Sequence, residues 1–347
     1  MDPYSTTKLV HHPEVIKALH DRRHVAPIQV HIMPQNLCNH DCHFCSYRLS
    51  NWKNSKLFND KEFIEWAVLE GALDDMAEMG VKAIELTGGG EPLIYPNVPE
   101  LLEKIDDLGF DLGVVTNGTA ITPKMAEQLL AVRRFKWARV SIDAGSPQTY
   151  VAVRKRKEAD LHKAWQAVQA LSEGSPDEEF VLGVGFVLTN ENASELRAAC
   201  HQAKAYGAHN IRLSVRFGPG GNDYYETGVL AKERHDAEKA EGELNKGGVQ
   251  VVSVSRERDH NNASGAQDYP VCHAKDVLCV LGGDGNLYTC CTLAFNPKGL
   301  IGSIKPDGFR ALWESEETAR MFKTLDPRQV CQFPCLYEKR NKDMMHT

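Results

Sequence analysis

Three cysteines fall within eight positions of the stretch NLCNHDCHFCSY, residues 36–47: Cys38, Cys42 and Cys45, spaced C-x3-C-x2-C. Spacings of two or three residues let neighbouring thiolates converge on one metal ion or cluster at little loop-closure cost. A structural zinc site takes four protein ligands, and the nearest fourth ligand here is His40 or His43. A 4Fe–4S cluster also presents four irons, so three cysteines leave one iron open to a small molecule. A second group, Cys272, Cys279, Cys290, Cys291, Cys331 and Cys335, lies near the C-terminus, and only Cys200 stands apart from both.

The chain surrounding these thiols reads as one that stays inside the cell. Its N-terminus, MDPYSTTKLVHHPEVIKALHDRRHV, is polar and charged and lacks the apolar core of a secretory signal, so a cytoplasmic location is expected. Disulfides are rare in that reducing compartment, which turns clustered cysteines towards metal or catalysis. No run approaches the roughly 18 apolar residues of a membrane span. A net charge of −7 gives no general attraction for nucleic acid or an anionic membrane, although a local basic run, RKRK at 154–157, is present.

Six β-type runs must position the first thiol group: residues 26–34, 81–88, 110–117, 137–144, 180–189 and 210–218. Each precedes a segment able to form a crossover helix, the clearest being KEFIEWAVLEGALDDMAEMG and ASELRAACHQAKAYG. Repeated strand–helix units predict an α/β fold with a parallel sheet, either a curved partial barrel or an open doubly wound sheet. In both, the loops at the carboxyl ends of the strands build the site. The three-cysteine stretch follows the first run, TGGGEP (87–92) the second and TNG (116–118) the third. The β/α rhythm is expected to end near residue 220. A helical and strand linker over 221–267 then leads to a cysteine-rich tail over 268–347, in which GGDGNLYTCC forms a hairpin at Asp284-Gly285.

The C-x3-C-x2-C motif with Phe44 before its third cysteine, followed one β/α unit later by GGE, resembles the radical SAM enzymes. The likeness covers residues 26–220 and implies a partial (β/α)6 TIM-type barrel after an N-terminal extension of residues 1–25. It implies that Cys38, Cys42 and Cys45 hold a 4Fe–4S cluster whose open iron chelates S-adenosylmethionine (SAM). The backbone of Gly88, Gly89, Gly90 and Glu91 would hold the methionine amino group. Asn117 lies at the next strand end, Ser141, Asp143 and Arg154 match the ribose- and carboxylate-contacting stretch, and Asn190 matches the end of the fifth strand. Read from residue types alone, Gly88–Gly90 is equally a bend before Pro92, Arg154 a solvated member of the basic run, and Asn117 and Asn190 turn-formers.

The tail resembles the SPASM and twitch extensions of the same enzymes. That resemblance implies one auxiliary 4Fe–4S cluster on Cys272, Cys290, Cys331 and Cys335, in a small twitch-like hairpin and helix domain. Cys291, adjacent to Cys290, is either the alternative ligand or a thiol near the substrate able to give up a hydrogen atom. Cys279 and Cys200 read as small buried hydrophobes, and a zinc site is the alternative for the whole group.

The resemblance implies reductive cleavage of SAM and hydrogen abstraction from substrate by a 5′-deoxyadenosyl radical, fed by an external one-electron donor such as flavodoxin or ferredoxin. In IRLSVRFG, alternation puts Arg212, Ser214 and Arg216 on one face, where the two guanidiniums are candidates to grip a substrate carboxylate or phosphate. About 25 residues precede the first strand, too few for the recognition domain of leader-binding relatives. The expectation is therefore a small polar substrate undergoing net oxidation. A peptide-modifying enzyme and a non-catalytic iron–sulfur or zinc protein are the alternatives.

Overall fold

The computed structural model of the chain describes residues 11–21, 23–48, 56–175, 179–215, 250–253, 267–331, 335 and 337–345. The described strands form one mixed sheet in the order β10-β9-β8-β1-β2-β3-β4-β5-β6-β7. They are β1 (Gln29–Ile32), β2 (Ala83–Leu86), β3 (Asp111–Thr116), β4 (Phe135–Ser141), β5 (Val181–Leu188), β6 (Asn210–Val215), β7 (Gln250–Ser253), β8 (Leu278–Leu281), β9 (Asn286–Tyr288) and β10 (Leu300–Ser303). Strands β1 to β7 pair in parallel. The six sequence-predicted runs are β1 to β6; β1, β2, β3 and β5 are shorter at both ends, β4 starts two residues earlier and ends three earlier, and β6 starts where expected.

The helices are α1 (Pro13–His20), α2 (Trp66–Met79), α3 (Val98–Asp107), α4 (Pro123–Ala131), α5 (Pro147–Arg154), α6 (Glu158–Gly174) and α7 (Leu196–Ala205). Apolar side chains at i, i+3 and i+4, such as Leu69, Leu73 and Met76 of α2, form the stripe that each helix lays on the sheet. Local chemistry sets the ends. Gly80 takes a left-handed φ of 85° and closes α2, and the Thr122 and Ser146 hydroxyls accept the N–H groups of Met125 and Thr149 to start α4 and α5.

Strand alternation separates two faces. Val30, Ile32, Ile84, Leu112, Val184 and Leu213 enter the main core beneath the helices. The opposite, inner face carries Gln29 and His31, Glu85, Gly113, Trp137 and Arg139, Gly183 and Gly185, and Arg212. Parallel strands buried on both sides read as continuous apolar runs. Polar and glycine positions along an inner face are therefore a departure that needs a use. The result is a partial TIM-type barrel, with a C-terminal unit attached at one edge.

The sheet runs beyond six strands on both sides. β7 extends the parallel ladder next to β6, so the β/α sheet continues past the point where the sequence rhythm fades. β8 pairs in parallel with β1, Gln29 opposite Leu278 and Ile32 opposite Leu281. β8, β9 and β10 then turn back antiparallel, with Gly285 at φ 77° in the predicted hairpin turn. This junction carries the second thiol group to the rim where the first one lies.

Candidate active site

The cysteine loop after β1 and the glycine loop after β2 are laced together by backbone. Gly90 N–H donates to Gln35 O (3.2 Å), Glu91 N–H to Leu37 O (2.9 Å), and the Gln35 amide to Glu91 O (2.8 Å). Three glycines permit this approach. A Cβ on Gly90 would lie 2.1 Å from Leu37 O, one on Gly88 1.7 Å from Gly90 O, and one on Gly89 2.8 Å from both Asn36 Oδ1 and Phe58. The run is therefore a packing requirement and more than a bend before Pro92.

Glu91 is buried and anchors the glycine loop to the end of β3. Its Oε1 accepts from Thr116 Oγ1 (2.5 Å) and Leu93 N–H (3.2 Å), its Oε2 from Asn117 N–H (2.8 Å). Burial pushes its carboxyl up, and these hydrogen bonds oppose the shift. The Asn117 side chain donates to Asn39 Oδ1 (2.7 Å) and accepts from Thr119, so it ties the third loop back to the cysteine loop.

Asp143 and Arg154 meet as a buried ion pair at 2.6 Å, 1% and 6% exposed, which removes Arg154 from the solvated basic run. Arg154 also donates to Ser141 O and reaches the Cys42 sulfur at 3.5 Å. Asp143 adopts φ 60°, left-handed and uncommon for a non-glycine residue, and its carboxylate accepts Val187 N–H at 2.6 Å. A fixed cation beside Cys42 favours its thiolate, the form that ligates metal. Burial outweighs Arg154 and raises the Cys42 thiol, and it raises Cys38 to about 11, so metal binding at these thiols would release protons. His40, 3% exposed, is driven down to about 3 by burial together with Arg154 and Arg156, so it stays neutral.

In the tail, Cys272, Cys290, Cys331 and Cys335 line one pocket with Lys275, Thr289, Thr292, Leu293, Leu325 and Tyr337. Four thiols on one wall are the number of ligands that a closed 4Fe–4S cluster takes. The Thr289 hydroxyl on this wall is buried without a hydrogen-bond partner among the described residues, which fits an acceptor sulfur that a cluster would bring. Burial raises Cys331 and Cys335 to about 12. Cys279 and Cys200 are fully buried in the main core, away from this wall.

Cys291 turns the other way. It packs with Met33, Val280, Tyr288 and Phe295, beside Tyr47, which lies two residues after Cys45. Its thiol is raised by burial, while Tyr337, 3.5 Å away, and the guanidinium of Arg212 counteract that shift. Arg212 lies on the inner face, opposite Gly185 in register. Arg216 lies outside the described residues.

Several site residues carried no sequence signal. His31 and Glu85 oppose each other on β1 and β2, 3.3 Å apart and 9% and 13% exposed, with the Gln29 amide donating to Glu85 (3.2 Å). The Arg139 stem passes over Gly185, and its guanidinium stands 5.7 Å from the Trp137 ring, which covers Gly113. At the end of β5 the structural asparagine is Asn192, fully buried and bonded to Asp143 O and Val187 O, whereas Asn190 is exposed.

Comparison with known proteins extends this geometry. Residues 32–203 match the profile of the Radical SAM superfamily, and residues 272–336 match that of SPASM, an iron-sulfur cluster-binding domain. The mycofactocin maturase MftC of Mycolicibacterium smegmatis is 26% identical over 267 residues, covering 75% of this chain and 64% of the maturase. The chain thus spans just under two thirds of that relative's length. The AdoMet-dependent heme synthase of Methanosarcina barkeri is 25% identical over 283 residues, 74% of this chain and 75% of that protein. Streptococcus suis SuiB bound to precursor peptide SuiA superposes with a TM-score of 0.66 at 14% identity, covering 94% of this chain and 76% of SuiB. Native anSMEcpe with bound AdoMet gives 0.62 at 16%, covering 92% and 96%. At such identities the structural likeness speaks for the fold alone. Among the described residues no helix is long and apolar enough to cross a membrane.

Proposed function

The chain belongs to the radical SAM superfamily and carries a C-terminal iron–sulfur SPASM domain, which together imply a SAM-binding 4Fe–4S cluster and an auxiliary cluster; from that premise we propose that it is a radical-based modifying enzyme acting on a peptide. The observation that carries this reading is the meeting of four features at one rim. These are the cysteine loop, the glycine loop anchored by Glu91, the Asp143–Arg154 pair and Cys291 reaching in from the tail. Peptide substrates are favoured because one relative is named a maturase and one similar structure holds a precursor peptide.

In this reading Cys38, Cys42 and Cys45 hold the open cluster, and Cys272, Cys290, Cys331 and Cys335 hold the auxiliary one. When bound, the open cluster and SAM supply a 5′-deoxyadenosyl radical able to take hydrogen from substrate. The protein's own work is positional. The backbone of Gly88–Gly90 and Glu91 receives the methionine end of SAM, Arg154 holds charge beside Cys42, and Ser141 and Asp143 shape the ribose side. Cys291 faces the substrate space, where its S–H is a source of a hydrogen atom for a substrate radical, the redox-neutral outcome.

A second reading keeps the small polar substrate and a net oxidation. It is favoured by the inner face, which carries Arg139, Arg212 and the His31–Glu85 pair. Guanidiniums there suit a carboxylate or phosphate, and Glu85 suits the proton released on oxidation. The deciding experiment measures 5′-deoxyadenosine formed by the reconstituted enzyme against lysate separated into a peptide fraction and a low-mass metabolite fraction. Stimulation by the peptide fraction alone supports the first reading, and stimulation by the metabolite fraction alone replaces it with the second.

A further inference from the structure

Tyr337 occupies a position that the reading above leaves unused. Its hydroxyl lies 3.5 Å from Cys291 Sγ, and its ring forms part of the wall shared by Cys272, Cys290, Cys331 and Cys335. One residue thus touches both the Cys291 thiol and the pocket assigned to the auxiliary cluster. Cys291 itself retains accessible surface although it packs among Met33, Tyr288 and Phe295, and the charges of Glu85 and Arg212 reach it from the strands of the inner face. With Cys291 facing the substrate space, as proposed above, its thiol is backed by a phenol.

A thiol that gives a hydrogen atom to a radical is left as a thiyl radical and is spent until the atom is returned. Sulfur–hydrogen bonds and phenolic oxygen–hydrogen bonds are of similar strength, so a phenol in hydrogen-bond contact can return it at little cost. Resting on the radical reading proposed above, we infer that Tyr337 regenerates Cys291, making the pair a hydrogen-atom relay between the inner cavity and the tail pocket. The steps balance. A carbon radical in the cavity takes the hydrogen of Cys291, forming C–H and leaving the thiyl. The thiyl takes the hydrogen of Tyr337, leaving a phenoxyl. One electron from a reduced iron–sulfur donor across the tail wall, with one proton from solvent, restores the phenol.

The arrangement also explains why Cys291 and Cys290 differ although they are neighbours. Cys290 lines the pocket, whereas Cys291 is held by Tyr337 on the cavity side.

The test needs no substrate. Anaerobically reconstituted enzyme is turned over in D₂O with SAM and dithionite, the probe being the 5′-deoxyadenosine released by uncoupled cleavage, analysed by mass spectrometry. Wild type is expected to place solvent deuterium in that product over repeated turnovers. Tyr337→Phe should stop labelling after a single equivalent per chain, and Cys291→Ala should abolish it. As a readout separate from turnover, freeze-quenched samples containing ring-deuterated tyrosine should show an organic radical EPR signal that narrows on ring deuteration and is absent from Tyr337→Phe. Iron content and the EPR change caused by SAM, measured on each variant, establish that it is folded and loaded. Continued labelling in Cys291→Ala overturns the donor role of Cys291. Labelling and radical signal in Tyr337→Phe equal to wild type overturn the relay while leaving Cys291 as donor. A loaded wild type that releases no 5′-deoxyadenosine defeats the radical reading itself.

Discussion

Replacing Glu91 by Gln probes the link between the glycine loop and the rest of the site. The carboxylate accepts three hydrogen bonds, from Thr116 Oγ1 at 2.5 Å, Asn117 N–H at 2.8 Å and Leu93 N–H at 3.2 Å. A glutamine keeps the acceptor at one oxygen and turns a donor NH₂ towards the groups at the other, so one buried donor loses its partner. Hydrogen bonds to a charged group contribute about 1.5–3 kcal/mol. Part of that loss is offset, because burial penalises the Glu91 charge and the neutral amide escapes the penalty. A net loss of about 1–2 kcal/mol in holding the loop remains, equivalent to about a 5–30-fold rise in the SAM dissociation constant if the whole loss is expressed in binding. The assay is titration of SAM against the reduced enzyme, followed by the change in cluster EPR, with thermal unfolding measured alongside. A SAM affinity within twofold of wild type together with an unchanged unfolding midpoint would refute the anchoring role.

Arg154→Leu strands Asp143 in the interior and should cost about 3–5 kcal/mol in urea unfolding. Adding Asp143→Asn should recover part of that loss, a coupling a double-mutant cycle reads directly. Burial raises the Asp143 carboxyl in the folded state, so the penalty of the single variant should be greatest at high pH and shrink on acidification as Asp143 takes up a proton. Glu195 behaves oppositely. Burial raises its carboxyl, but hydrogen bonds from Ser146, Thr149 and Gly145 outweigh that and hold it below its ordinary 4.5. Its stabilisation is therefore present above 4.5 and lost as pH falls through the depressed folded value, and Glu195→Ala should flatten the acid limb of thermal stability against pH. Cys290→Ser should lose tail-cluster iron while Cys291→Ser keeps it, by iron and sulfide analysis, because only Cys290 lines the four-thiol pocket. Iron loss confined to Cys291→Ser would reverse that assignment.

The sequence made the chemistry-bearing residues legible where their spacing was local. Cys38, Cys42 and Cys45 share one loop, and Gly88–Gly90 follow a strand end, so periodicity and turn chemistry were enough to place both. Pairs formed across strands were not legible. His31 and Glu85 lie far apart in the chain and meet because β1 and β2 align them in register, which no local pattern encodes. Gln35 lacing the glycine loop and Tyr337 touching Cys291 are likewise long-range contacts, here between loops. Beyond the end of β5, Asn192 closes the turn by bonding to Asp143 O and Val187 O, a contact between separate loops that the local sequence does not encode. A strand was expected within the 221–267 linker, but its parallel pairing with β6 is a long-range contact that the strand–helix rhythm does not encode.

The most direct test of the central claim is anaerobic iron and sulfide content with EPR, on wild type and on the Cys38/Cys42/Cys45→Ala triple variant. The account predicts about eight irons falling to about four, with a signal altered by SAM in the wild type alone, since three thiols leave an open iron and the four tail thiols hold a closed cluster. Zinc without iron in protein purified under strict anaerobiosis would contradict it.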